Sequence, residues 1–359
     1  MRRHEHLVKN GGESPARVRC EATHGAAGSA SRRLAPRTLF TGLLILFLTW
    51  FATSSFTDYS NDSEVEAYSQ ALYAAVSSGR VLQADGWSAL SDVLAWLPMA
   101  AIRIAGSGAY LGKGFFAMRF FQCLVIFGLG NLYYRALGIR WGTRMAGLAL
   151  LAWAIAYASY ERGWELPSFT QAALFVSAGY LLTIPSLSIG WIAPLAFLAP
   201  FDGAAGLLLP WLALLRPGPW TPRDRRLLAG VAAIGLIPFG ALHAGEIAPA
   251  VASAGTLWAS ALRTLGRNLD PRTLASLLAG LAFVPVLAFA WSRDTSPGLR
   301  RVLWALGPPW LAAALVIQPL GQGALLLPPV AAIFLPVVLT AVEAAVRRYN
   351  TAGEDSGTF

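Results

Sequence analysis

The sequence predicts an all-α polytopic membrane protein with about ten transmembrane helices and with juxtamembrane helices in its first outer loop. Three observations lead there. Hydrophobic residues make up 55% of the 359 positions and charged residues 13%, too few to coat a soluble chain of this length. Apolar runs able to cross a bilayer recur from residue 38 to residue 342. Basic residues collect in short clusters between alternate runs, the pattern that sets membrane orientation. The net charge of +9 would otherwise suggest nucleic acid. However, 26 of the 28 basic residues are Arg, and they form no stripe interleaved with aromatics, so no nucleic-acid partner is expected.

Residues 1–37 are polar, rich in Arg, Gly, Ala and Ser, and lack apolar periodicity, which predicts a disordered cytoplasmic tail. The run 38–56 reads as a retained helix, because a charged region of 37 residues is too long for a cleaved signal peptide. Further spans are expected at 115–134, 145–160, 167–184, 187–200, 203–215, 227–246, 273–292, 302–317 and 323–342. The runs 187–200 and 203–215 are short, and read either as a tight helical hairpin or as one broken span. Pro194, Pro210, Pro238, Pro285 and Pro328 fall inside these runs. Membrane helices tolerate prolines where neighbouring groups satisfy the freed carbonyls. The membrane domain thus covers 38–348, and 349–359 form a second cytoplasmic tail.

Charge tests the count. With the N-terminal tail inside, the even-numbered loops carry Arg135, Arg140 and Arg144, then Arg216, Arg223, Arg225 and Arg226, then Arg293, Arg300 and Arg301. Arg347 and Arg348 follow at the C-terminal end. On that topology 20 of the 28 basic residues lie inside and 11 of the 19 acidic residues outside. Losing one span would invert the later clusters, so the alternation favours ten crossings with both termini cytoplasmic.

Two outer loops exceed what connection requires. The first, 57–114, contains helix-patterned stretches at 64–78 and 88–105. In the second, 247–272, Ser253, Thr256, Ser260, Arg263 and Arg267 recur opposite Val251, Ala254, Leu257, Trp258, Leu262 and Leu265. That is an amphipathic helix suited to lying on the outer membrane surface.

The richest polar cluster follows the first span: Asp58, Asp62, Glu64 and Glu66, then Tyr68. Carboxylates beside apolar helices at a membrane surface lose hydration, which suits Asp58, Asp62 or Glu64 to accept a proton. Ser63-x-x-Glu66 also matches a helix capping box, which offers Glu66 a structural role.

From this point the chain resembles the GT-C superfamily of membrane glycosyltransferases, which includes protein O-mannosyltransferases and lipid A aminoarabinose transferases. The residues that carry the resemblance are Asp62-x-Glu64-x-Glu66-x-Tyr68, the later Ser78-Gly79-Arg80, Gly86-Trp87 opening a juxtamembrane helix, Arg119, and Leu132-Tyr133-Tyr134-Arg135. It covers roughly 38–215. Many members carry adjacent Asp-Glu four and three places before the tyrosine, where this chain has Glu64 and Val65.

The resemblance implies glycosyl transfer from a polyprenyl-phosphate-linked sugar to a glycan, lipid or protein hydroxyl at the outer face of a bacterial plasma membrane. A first-loop carboxylate, Asp58, Asp62 or Glu64, would act as base, with Glu66 and Tyr68 beside the substrate. Arg263, Arg267 and Arg272 are suited to the lipid phosphate that leaves, or else snorkel to lipid headgroups. The lipid-linked sugar is a substrate, so no cofactor is implied.

Glu161, beside Arg162, Trp164 and Glu165, reads as acceptor-binding or as a solvated loop. Asp202, in Pro200-Phe201-Asp202-Gly203, reads as a site residue facing a cavity or as a turn former. No metal is assigned, since His243 and Glu246 alone make no site. Two further classes stay open, a transporter or flippase for lipid-linked glycans and a non-catalytic membrane scaffold. The near absence of midplane charge counts against the transporter.

Overall fold

The computed structural model describes residues 36–54, 63–79, 88–106, 110–158, 167–216, 220–252, 254–317 and 324–355. Their regular structure is entirely helical, that of an α-helical membrane protein. The main helices are α1 (Pro36–Ser54), α2 (Ser63–Ser77), α3 (Ala89–Ala105), α4 (Gly112–Ala136), α5 (Trp141–Ala158) and α6 (Pro167–Thr183). After a hairpin come α7 (Pro222–Ala252), α8 (Ala254–Asn268), α9 (Pro271–Gly280), α10 (Val284–Ala290), α11 (Pro297–Ile317) and α12 (Leu335–Asp355).

The described parts of the apolar runs are largely helical, and α2, α3 and α8 fall on the three stretches read as outer-loop helices. By length and composition, four described helices suffice to cross a membrane: Pro36–Ser54, Gly112–Ala136, Pro222–Leu242 and Leu327–Asn350. A fifth crossing arises if α9 and α10, bent by 84°, are counted together. Ten crossings therefore do not follow from helix length, because the other runs are shorter, more polar or broken. Leu39, Phe47, Trp50, Ile237 and Trp304 point out of the bundle, as lipid-facing side chains do.

The short runs at 187–215 form a hairpin of Ile189–Asp202 and Ala204–Leu215, wound largely as 3₁₀ turns. Thr183 and Leu215 line the same cavity, whereas Asp202 lies between α3 and α6. The chain therefore leaves one end of the bundle and returns to it, as in a helical hairpin.

α4 and α6 pack along one another at the centre, with α5 connecting them. A second, smaller core joins α2, α3 and α4 through Val65, Leu72, Ala95, Met99, Leu111 and Phe115. Gly114 makes this contact possible, because a Cβ there would lie 2.8 Å from the backbone nitrogen of Met99. Tyr73 stacks on Trp96, whose indole N–H donates to Ser77 Oγ at 3.0 Å, which fastens α2 to α3.

The last helical run is broken in a way its prolines explain. In a regular helix the Ala332 carbonyl would accept from residue 336, but Pro336 has no N–H. The Leu335 N–H closes a wide π turn on Val330, so it is not available to Ala331. Two fully buried phenols fill these vacancies. Tyr134 donates to the Ala331 carbonyl at 2.8 Å and Tyr133 to the Ala332 carbonyl at 3.1 Å. This is the neighbour satisfaction on which a broken helix in lipid depends.

Candidate functional site

A buried polar node forms where α3, α4, α6 and the hairpin tip meet. Ser91 on α3 contributes both of its donors to Asp202. Its backbone N–H meets Oδ1 at 2.8 Å and its hydroxyl meets Oδ2 at 2.7 Å. The Ser91 hydroxyl lies 2.6 Å from Thr170 Oγ1 on α6, and Gln122 on α4 donates to that oxygen at 2.8 Å. Gln122, Thr170 and Ser91 thus form one buried hydrogen-bonded chain that ends at the Asp202 carboxyl. Gln171 donates to the Asp202 carbonyl at 2.7 Å. Beside the node, the fully buried Arg119 guanidinium sits 3.2 Å from the centroid of the Phe169 ring, a cation–π contact.

Asp202 occupies the turn of the hairpin, outside the helices that qualify as spans, and is 3% exposed. Burial raises its carboxyl above the ordinary aspartate range, while the Ser91 N–H and O–H draw it partly back. Asp92, itself an acceptor from Ser88 Oγ at 2.8 Å, adds to the upward push. The sequence marked Asp202 as a charge in an apolar setting. Thr170, Gln122 and Gln171 went unmarked, although polar residues inside the apolar runs 115–134 and 167–184 were the available signal. Ser91 gave none.

The acidic first loop is anchored at the N-terminal end of α4. Glu66 Oε2 accepts the Gly112 N–H at 2.9 Å, so it caps the first turn of α4, and Oε1 accepts from Gln70 at 2.8 Å. Tyr68 meets Phe115 edge-on, with ring centroids 5.9 Å apart. Both residues read as substrate-binding thus fasten α2 to α4. Glu64 lies in the first turn of α2, with its side chain outside the described residues. Asp58, Asp62 and Glu161 also lie outside them.

The arginines of the second outer loop sit elsewhere. Arg263 and Arg267 are exposed on α8, and Arg263 Nε donates to its own helix at Ala259, 3.3 Å away. Arg272 is exposed in the first turn of α9, where Asp270 caps the Arg272 and Thr273 N–H groups at 3.1 Å. α8 packs on α7, α9 and α11, and Asn268 ties it to the Leu315 carbonyl at 2.8 Å. The acidic and basic candidates are therefore carried by separate elements. No protein family, curated protein or solved structure matches this chain.

Proposed function

We propose that the chain is a membrane glycosyltransferase of GT-C type, which moves a sugar from a polyprenyl-phosphate donor to an acceptor hydroxyl at the outer membrane face. One observation carries this reading. The first-loop helices are fixed to the bundle by two carboxylates, Glu66 on the Gly112 N–H and Asp202 on Ser91. The acidic start of α2 is thereby held at the N-terminal mouth of α4, where Lys113 is exposed. Asp202, fully engaged and buried, serves as a positioning residue. The base comes from Asp58, Asp62 or Glu64, and Arg263, Arg267 and Arg272 meet the phosphate that leaves.

The chain crosses a bacterial plasma membrane ten times with both termini inside. In support of that topology, the outer-loop residues Ser91 and Asp202 share one end of the bundle. The connections after α4, after α6, after the hairpin and before α11 share another.

The test is replacement of Asp58, Asp62 and Glu64 singly by Ala, scored by glycan content in the organism of origin. Loss of glycan in one variant, with the protein still present in the membrane, supports catalysis. Unchanged glycan in all three removes it and leaves a non-catalytic scaffold, the role to which a closed, buried polar node is suited.

A further inference from the structure

At the end of the bundle opposite the node lies a cavity of about 530 Å³, within the usual size of a small-molecule site. Four connections and the last helix meet there, through Leu137, Thr183, Arg216, Ser296, Arg301 and Thr340. α4 and α6 fix its separation from the node. Each helix sends its N-terminal part to the node and its C-terminal end to the cavity, roughly 20–25 Å away at 1.5 Å per residue.

The chemistry of this cavity is cationic. Arg216 Nη2 is buried and has no hydrogen-bond partner among the described residues. Arg301 Nη2 donates to the Arg216 carbonyl at 2.7 Å, which holds both arginines on one wall. The first turn of α11 opens on the same space, and Gly298 packs so tightly on the Leu215 carbonyl that a Cβ would collide with it. The nearby acids have partners of their own. Asp224, half-buried in the first turn of α7, accepts from Thr221 Oγ1 at 2.6 Å. Glu343 and Asp294, in the adjoining cleft, pair with Arg140 and Arg348. Leu137, Leu182 and Leu299 supply apolar wall beside the charge.

We propose that this cavity binds a phosphate group, carried by an anionic phospholipid headgroup or by a free phosphate. A buried guanidinium N–H without a partner is costly, and an oxyanion removes that cost. The guanidinium fork suits phosphate, and basic pockets at the cytoplasmic ends of membrane helices hold lipid headgroups. The site does not depend on the glycosyltransferase reading.

The experiment uses the full-length protein in phosphatidylcholine nanodiscs. Thermal stability is titrated with phosphatidylglycerol in one arm and with inorganic phosphate at constant ionic strength in the other. The wild type is stabilised in at least one arm, and the arm that responds identifies the source. Arg216→Gln weakens that response by about tenfold or more. Arg225→Gln, which removes an exposed charge in the first turn of α7 outside the cavity, leaves it unchanged. A wild type that responds in neither arm overturns the site even if Arg216→Gln fails to fold. Equal loss in both variants also overturns it, since that is diffuse surface attraction.

Discussion

At the scale of single residues, Asp202 and Ser91 stand or fall together. Asp202→Asn keeps the shape but turns an acceptor toward a donor, and is expected to cost about 1–3 kcal/mol in thermal unfolding. Ser91→Ala removes the same bond from the other side, so the double variant should lose less than the sum, with a coupling of about 0.5–3 kcal/mol. Because burial raises the folded-state carboxyl, the folded protein holds its proton at higher pH than the unfolded chain does. The Asp202 contribution is complete below the unfolded pKa of about 3.9 and is lost as pH rises through the raised value. Asp202→Asn should flatten that part of the pH–stability curve. Asp202 itself was legible in the sequence, because a charge in an apolar stretch needs an explanation. Its partner was not, because Ser91 lies 111 positions away and a serine on a surface-patterned helix carries no mark.

At the scale of elements, prolines and glycines decide where helices bend and how closely they pack. Tyr133→Phe and Tyr134→Phe each leave a buried carbonyl without its donor, and should cost about 0.6–2 kcal/mol. Restoring an N–H with Pro336→Ala should make the Tyr133→Phe loss smaller, which a double-mutant cycle in detergent measures. Gly114→Ala brings a Cβ within 2.8 Å of Met99 backbone and should destabilise the α3–α4 contact by about 1–3 kcal/mol, read as a lower melting midpoint. Helix positions were legible because apolar runs and amphipathic spacing report them locally. The left-handed Ala282 and Phe283, which produce the 84° bend, were not, since neither residue type favours that conformation. Such geometry is imposed by packing.

At the scale of the whole molecule, arginine alternation predicts a sidedness, and helix packing sets the Asp202 node and the Arg216 cavity at opposite ends of the bundle. The topology predicts that an impermeant maleimide labels Lys113→Cys on intact cells. Thr221→Cys should react only after permeabilisation, in a background lacking Cys20 and with the native Cys123 buried. Labelling of both from the same side would sink the ten-crossing topology.

The hairpin also sets an order of events during synthesis. Every group in the node belongs to residues 91–202, so that end can close once the hairpin tip has been made. The opposite cavity waits for Thr340, near the end of the chain. A ribosome that pauses between the two leaves a half-built protein with one end already fastened, to which the later helices must dock as they arrive.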